Sequence, residues 1–230
     1  MIDIGELVDF IQLLENKAQS TWHTPDEIVN SVHQASKDLF SSKAPYYGDD
    51  EQVKAALDPF VQTFQVTPAN SPAGLVTLPQ NQSNASPLNF ARLLSAMAVS
   101  YDNKLMRPIY RDIDMVNNDE VPKRLMSQLK PVTYDWPVAT SNGNGVFQLY
   151  PSLPNTCVFT YLAVPVKPVY AYTRSGTGGR VITYNPGGST QLQWNDTFFE
   201  DIVSRAVVYL GINMDNDKLV AFMNQKSAGK

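Results

Sequence analysis

Two histidines are the first residues of this sequence that could do acid–base chemistry or bind a metal. His23 and His33 are ten residues apart, a spacing that does not pair two ligands on one helical face, and no His-Glu-x-x-His motif contains them. A Ser-His-Asp triad would have to use one of them, but the sequence has no Gly-x-Ser-x-Gly elbow. We therefore predict a polar surface or interface contact for each histidine, and neither catalysis nor metal binding.

An acidic cluster invites a calcium interpretation: Asp112, Asp114, Asp119 and Glu120. A twelve-residue calcium loop that begins at Asp112 needs glycine at its sixth position and a bidentate glutamate at its twelfth. The sequence places Asn117 and Lys123 there. We predict a solvated loop with helix-capping acids. A carboxylate pair for glycoside hydrolysis stays open, because the sequence does not reveal how far apart the carboxylates lie.

Two further candidates are a glycine-rich segment and the single cysteine. Gly176–Gly179 lies between two strand-like segments, whereas a phosphate cradle needs a helix to follow, so a β-turn is predicted. Cys157 lies in the apolar run Thr156–Phe159 and is expected to be a small buried hydrophobe. One cysteine excludes an internal disulfide and indicates a reducing site of synthesis. We expect no cofactor.

The composition indicates a globular protein with a modestly charged surface. The formal net charge is −4, with 43% hydrophobic and 17% charged residues. The sequence lacks the Lys/Arg stripe of a protein that grips a phosphate backbone. Met1–Glu6 is acidic where a signal peptide is basic, and the apolar runs are far shorter than the ~20 residues of a membrane helix. We expect the protein to be made and used without crossing a membrane.

Residues 1–60 are predicted to be helical. Apolar residues recur at three- and four-residue spacing, which places them on one face of a first helix: Leu7, Phe10, Ile11 and Leu14. A second helix is predicted to begin with Thr24 as its N-cap. Pro25 lies in its first turn, and Glu27 completes a capping box with Thr24. A third, short helix is predicted at about 49–57.

Residues 61–194 are predicted to form a β-rich insertion. Short β-branched and aromatic segments alternate with Gly, Pro and Asn turns at the spacing typical of an antiparallel sandwich or open barrel. One internal helix is predicted at 88–101, since Phe90, Leu93, Leu94 and Met97 share a helical face. A second short helix is predicted at 121–129.

The chain turns helical again after residue 194. Asn195 or Asp196 is predicted to cap a helix that ends at Gly211, and a last helix follows from Asp215 or Asn216. Residues 226–230 are polar and basic and are predicted to form a flexible tail. The predicted fold class is therefore α+β, with a helical core of residues 1–60 and 195–225 and an inserted antiparallel sandwich or open barrel at 61–194.

Aromatic residues are in excess in the β region: Tyr161, Tyr170, Tyr172, Tyr184 and Trp194. In alternating strands, half of such a set faces the core. The remainder is predicted to lie on a protein–protein surface, because tyrosine and tryptophan have one apolar and one polar end. Ordinary sheet packing also accounts for part of the set.

Several segments of the sequence resemble a phage structural protein. They are Gly74–Pro79, Phe90–Tyr101, Arg107–Ile109, Phe147–Pro151, Val158–Val169, Leu192–Asn195 and Phe198–Leu210. In combination they are similar to the ring-forming head-to-tail connector proteins of tailed bacteriophages, of the crAss-like podovirus type. The resemblance covers most of residues 74–212.

The resemblance implies a structural virion protein without a catalytic motif, located at the head–tail junction and assembled in the bacterial host cytoplasm. It implies a closed homo-oligomeric ring of about twelve copies, between the portal protein and neighbouring tail ring proteins. DNA would pass through the ring without specific binding. Related adaptors engage the portal through a C-terminal arm, and the analogous residues here are Leu219, Phe222, Met223, Lys226 and Lys230.

Two other functions stay open at this point. One is a different ring, hub or fibre-attachment component further along the tail. The other is a carbohydrate-active virion enzyme that uses surface aromatics and a carboxylate pair. A neutral scaffold or a host regulatory protein is also compatible with the composition.

Overall fold

The computed structural model describes residues 1–18, 22–67, 74–79, 89–102, 106–143, 145–152, 156–176 and 181–212. It confirms the predicted α+β fold class. The chain divides into two compact units. The first comprises Met1–Pro59 and Pro165–Lys230, and the second comprises Phe60–Val164. The second unit is therefore an insertion in the first, and it ends at Val164, whereas the predicted insertion ended at residue 194.

The helices and strands have the following bounds in the described residues. The α-helices are α1 (Ile4–Ala18), α2 (Pro25–Lys43), α3 (Glu51–Leu57), α4 (Val121–Leu125) and α5 (Phe199–Tyr209). The strands are β1 (Val61–Val66), β2 (Leu75–Thr77), β3 (Phe90–Asp102), β4 (Arg107–Asp112), β5 (Asp114–Val116), β6 (Val138–Ser141), β7 (Val146–Tyr150), β8 (Thr156–Ala163), β9 (Tyr172–Ser175) and β10 (Val181–Tyr184). None of these helices is long and apolar enough to cross a membrane.

The first two helices, α1 and α2, begin where local side chains satisfy their free N–H groups. The Asp3 carboxylate accepts hydrogen bonds from the N–H groups of Gly5 (2.6 Å) and Glu6 (3.1 Å) at the start of α1. The predicted capping box of α2 is confirmed, because Thr24 and Glu27 bond reciprocally. The predicted apolar face of α1 is also confirmed, and its side chains are buried: Leu7, Phe10, Ile11 and Leu14.

Trp194 lies at the centre of the first unit and is fully buried. Its indole N–H donates to the Ser36 hydroxyl of α2 at 2.7 Å, and its ring packs edge-on against Phe198 at 5.2 Å. The N–H of Ile2 donates to the Trp194 carbonyl at 3.1 Å, so the start of the chain is bound to this segment. The core of the unit thus combines residues that are far apart in sequence.

The last described helix begins later than predicted. A 3-10 turn occupies Asp196–Phe198, and α5 starts at Phe199 without a side-chain cap from Asn195 or Phe198. The prediction that Asn195 or Asp196 caps this helix is therefore wrong, because both precede its N-cap residue Phe198 and a 3-10 turn supplies backbone hydrogen bonds at this end. The predicted stop at Gly211 is confirmed by its φ of 68° and by the hydrogen bond from its N–H to the Val208 carbonyl. The predicted helix after Asp215 lies outside the described residues.

The prediction of a helix at 88–101 is wrong, because this segment forms β3, a strand of 13 residues. β3 lies inside a sheet of order β1-β8-β3-β4 and pairs antiparallel with β8 on one side and β4 on the other. Hydrogen bonds to β8 and β4 satisfy the backbone N–H and C=O groups of β3. These bonds outweigh the modest helix preference of its Leu, Ala and Met residues. Ala96 and Ala98 alternate into the core, as strand residues do.

A second sheet of the inserted unit has the order β2-β7-β6-β5. Its β5–β6 pair is parallel and its other pairs are antiparallel, so the sheet is mixed where an antiparallel one was predicted. Side chains from both sheets meet in one core, among them Leu149 from β7 and Phe159 and Tyr161 from β8. The choice between sandwich and barrel stays a prediction. The short helix predicted at 121–129 is shorter in the structure, where α4 ends at Leu125.

Candidate functional site

The two histidines lie in different surroundings of the first unit. His23 Nδ1 is 2.6 Å from Glu15 Oε1, and the Glu15 side chain is only 3% exposed. This contact joins the end of α1 to the segment before α2, so the pair has a structural role. No group of three His, Cys, Asp or Glu side chains that could hold a metal ion occurs in the described part of the chain.

His33 lies within α2 and is partly buried, and its Nδ1 atom has no hydrogen-bond partner among the described residues. Burial, followed by the nearby charges of Lys37 and Lys167, lowers its pKa from 6.5 to about 4. The imidazole is therefore neutral at pH 7 in the folded protein.

Lowering the pH from 7 to 5 is expected to reduce the free energy of unfolding through His33. Because the folded-state pKa of His33 is about 4 and its unfolded value is 6.5, the unfolded chain binds an extra proton between these pH values. The contribution of neutral His33 to the free energy of unfolding is complete above pH 6.5 and is lost as the pH falls toward 4. At pH 5 about 1–2 kcal/mol of this free energy is lost. Urea unfolding of wild type and His33→Gln at both pH values measures it. Equal pH dependence in the two proteins would contradict the assignment.

Two other candidates from the sequence, the cysteine and the acidic cluster, lie in the inserted unit. Cys157 is buried in β8, and desolvation raises the pKa of its thiol to about 12, so it is not a thiolate at neutral pH. The acidic cluster lies on exposed turns and strand ends, and the Asp114 carboxylate pairs with Arg124. Glu120 precedes α4 but makes no side-chain cap there, so its predicted capping role is wrong.

An exposed apolar surface lies on α4, β5 and the loop that leads to β6. We call it the Trp136 surface, and define it by Met115, Leu129 and Trp136, which line one cavity, together with the exposed residues Leu125 and Met126 at the end of α4. Their side chains are far from buried: Leu129 is 96% exposed, Met126 83% and Trp136 73%. Exposed apolar side chains grouped in this way usually mark an interaction site.

A cavity of about 600 Å³ opens at the Trp136 surface. Its apolar lining includes Met115, Leu129 and Trp136, together with Pro131, Pro137 and Val138. This volume is in the range of pockets that accept a small molecule or a few partner side chains. All of the lining belongs to the inserted unit.

Ion pairs and turns hold the loop around the cavity. Arg111 pairs with Asp135 at 2.6 Å, and Arg124 pairs with Asp114. The N–H of Trp136 donates to the Thr133 carbonyl at 3.1 Å, and the N–H of Asp114 donates to the Pro137 carbonyl at 3.0 Å. Four charged groups thus satisfy one another in two pairs, while the apolar side chains between them stay uncovered. Such a surface is preorganised to bury an apolar partner, which stabilises a complex by roughly 25 cal/mol per Å² of apolar area, less the entropy of association.

The aromatic residues from the sequence separate into two groups. Tyr161 and Trp194 are core residues of the second and first units. Tyr170 stacks on Tyr184 at 4.8 Å and lies 5.7 Å from Tyr172, at the base of the β9–β10 hairpin. Tyr134 and Trp136 were not identified as candidate residues from the sequence. The signal available was the alternation of Val132, Tyr134 and Trp136 with polar residues in a short segment between two prolines.

The predicted portal-docking residues Leu219, Phe222, Met223, Lys226 and Lys230 lie outside the described residues. The described candidate is therefore the Trp136 surface, whose cavity lining combines apolar side chains with the carboxylates of Asp112 and Asp114 and the basic side chains of Arg124 and Lys130. No protein-family model matches this sequence. No curated protein is significantly similar to it.

Proposed function

We propose that this protein is a structural virion protein of a tailed bacteriophage, and that its copies form a ring between the portal and the tail. The resemblance of residues 74–212 to ring-forming connectors supplies the family. In the proposal the ring has about twelve copies, contacts the portal and a neighbouring tail ring, and surrounds the passage of the DNA. It is made in the bacterial host cytoplasm and functions at the head–tail junction.

The observation that carries the proposal is the Trp136 surface. Leaving Leu129 and Trp136 in water is unfavourable, and burying them against another protein removes that cost. Proteins whose function is assembly keep such surfaces exposed until a partner covers them. A ring requires each copy to bind its neighbour through two different faces, and the Trp136 surface is suited to be one of them.

The charge distribution supports an assembly role that does not involve gripping DNA. The net charge is −4, and of the two basic residues that line the cavity, Arg124 is paired with the Asp114 carboxylate, whereas Lys130 is exposed. The Arg124 charge is therefore not available to neutralise phosphates, and a single exposed lysine is not the basic stripe that grips DNA. We extend the proposal to residues 219–230, whose apolar and basic side chains would dock on the portal.

The proposal predicts that the purified protein assembles when its partner is present. Expressed alone, it can stay monomeric until a portal supplies a template, so the experiment mixes it with the portal protein of the same phage. Mass photometry and negative-stain electron microscopy are expected to show a ring of the protein stacked coaxially on the portal. Absence of the protein from intact virions, together with a monomer in every mixture, would overturn the proposal. Cross-links to distal tail proteins alone would instead identify another tail component.

A further inference from the structure

The first sheet of the inserted unit has two edges of opposite character. Edge strand β4 carries Arg107, Pro108 and Arg111, the kinds of residue that prevent another strand from adding to an edge. Edge strand β1, Val-Gln-Thr-Phe-Gln-Val, has no charge, no proline and no glycine. Six-residue segments of this type pair readily with other strands. Among the described residues, β8 is the only strand that pairs with β1, so the outer side of β1 has no strand partner there.

The side chains of β1 alternate as expected for an edge strand that continues a sheet. Phe64 packs against the core and Val66 is buried, whereas Thr63 and Gln65 are exposed. β1 is therefore held in an extended conformation with a register fixed by Phe64, and a strand that adds to it finds a preformed template.

The first unit contains a hairpin that lacks a supporting sheet. Within the described ranges, β9 and β10 pair only with each other, and most of their residues are exposed, including Val181 at 54% and Ile182 at 39%. A two-stranded hairpin is marginally stable by itself, and a third strand stabilises it. Of its two strands, β9 carries Arg174, whereas β10, Val-Ile-Thr-Tyr, is uncharged and rich in β-branched residues, as β1 is.

The base of this hairpin is firmly attached to the first unit. Tyr184 stacks on Tyr170, and its ring lies so close to Gly5 of α1 that a Cβ there would be 2.5 Å from it. The Tyr172 hydroxyl donates to the Asp26 carboxylate at 3.2 Å. The hairpin is thus anchored at one end, while Val181 and Ile182 extend into solvent. This arrangement suits a short arm that reaches another molecule.

The charges of the two strands also match. β1 and β10 have no charged residue, and the sequence contains no Asp or Glu between residues 136 and 195. Pairing β10 with β1 therefore buries no unpaired charge and brings no like charges together, whereas pairing with β4 would place β10 beside Arg107 and Arg111.

We infer that β10 of one copy adds to the outer side of β1 of the next copy, so that the hairpin extends the neighbour's sheet. This inference rests on the proposed ring and names one of its contacts. The donor strand lies in the first unit and the acceptor strand in the second, so each copy offers one of each. Such a contact is heterologous, and its repetition closes a ring when the rotation permits. The occupant of the β1 edge is thus a second copy of this chain.

A lysine in the acceptor strand tests the contact. Thr63→Lys places a charge on the exposed face of β1, and Thr77→Lys makes the same change at an exposed position of β2, the edge of the other sheet. With portal present, Thr63→Lys is expected to lower ring formation at least about 30-fold, while Thr77→Lys assembles like wild type. Circular dichroism and thermal unfolding confirm that each variant is folded. Normal assembly of folded Thr63→Lys would overturn the inference.

Cross-linking tests the pairing without depending on a charge change. Thr63→Cys and Thr183→Cys are prepared separately, mixed with portal, and treated with a short bismaleimide, which tolerates the spacing of ~5 to 8 Å between residues on paired strands. Cys157 does not compete because it is buried. A covalent dimer is expected for this mixture and not for Thr77→Cys with Thr183→Cys.

The outcomes separate the inference from the proposed function. If wild type forms rings but the Thr63–Thr183 mixture gives no dimer, the strand pairing is wrong and the ring proposal stands. If wild type never assembles and is absent from virions, the ring proposal fails and the pairing fails with it. A dimer for both cysteine mixtures would show nonspecific contact and would also overturn the pairing.

Discussion

Trp194→Ala is expected to lower the free energy of unfolding of the first unit by about 3–5 kcal/mol. The Trp194 side chain is fully buried, and its truncation leaves a cavity next to Phe198 and α2. It also leaves the buried Ser36 hydroxyl without the indole N–H that donates to it at 2.7 Å. Urea unfolding followed by far-ultraviolet circular dichroism measures the change, since tryptophan fluorescence is altered by the substitution itself.

A second tryptophan provides the control for this measurement. Trp136→Ala removes a side chain that is 73% exposed and is expected to change stability by less than about 0.5 kcal/mol. If Trp194→Ala does not fold, Trp194→Phe keeps most of the ring and removes the N–H, with an expected loss of about 1–3 kcal/mol. A loss below about 1 kcal/mol for Trp194→Ala would contradict its central position in the core.

Trp136→Ala combined with Leu129→Asp is expected to weaken assembly by roughly 30- to 1000-fold without unfolding the protein. Both side chains line the cavity of the Trp136 surface and are exposed in the single chain. Exposed apolar groups contribute little to folding, but at an interface a tryptophan in a desolvated pocket is often a hot spot that contributes 2–4 kcal/mol or so. An aspartate at position 129 would also bury a charge in the complex.

The matched control for the Trp136 surface is Trp22→Ala. Trp22 is 72% exposed, nearly the same as Trp136 at 73%, but it belongs to the first unit and not to the Trp136 surface. Titration of each variant against portal by mass photometry is expected to show wild-type assembly for Trp22→Ala and loss of assembly for the double variant. Equal assembly of the two variants would exclude the Trp136 surface from the ring contacts and remove the main support of the proposed function.

The two sets of assembly variants address different faces of the chain. Thr63 lies on the β1 edge, whereas Leu129 and Trp136 lie around the cavity. A ring subunit in this position has contacts to its neighbours and to the rings above and below it. If the double variant still binds the portal but forms no ring, the Trp136 surface is a lateral contact; if it no longer binds the portal, the surface is an axial one.

Several features that depend on a few neighbouring residues were predicted correctly from the sequence, although the side-chain caps predicted before α4 and α5 are absent. The apolar face of α1, the capping box of Thr24 and Glu27, and the stop at Gly211 are all present. Each is decided by contacts within about one or two helical turns, so its residues lie together in the sequence. The α+β fold class follows from the same local patterns, because the periodicity changes from helix to strand and back.

Features that depend on distant partners were predicted less well. The segment at 88–101 has a helical pattern, but β8, far along the chain, and β4 pair with it on both sides and make it β3. Residues 165–194 read as part of the β insertion, but Trp194 bonds to Ser36 and Leu192 pairs with Ile2, both of the first unit. A pattern of apolar residues does not specify which of two cores will bury it.

The sequence by itself determined the fold class, the caps and faces of the first helices, and the scarcity of residues suited to catalysis. Only the tertiary structure decided that β3 is a strand, that the inserted unit ends at Val164, and that Leu129 and Trp136 stay exposed around a cavity. The physical reason is the range of the interactions. Capping and helical periodicity act between near neighbours, whereas sheet pairing and burial depend on chain segments brought together only by folding.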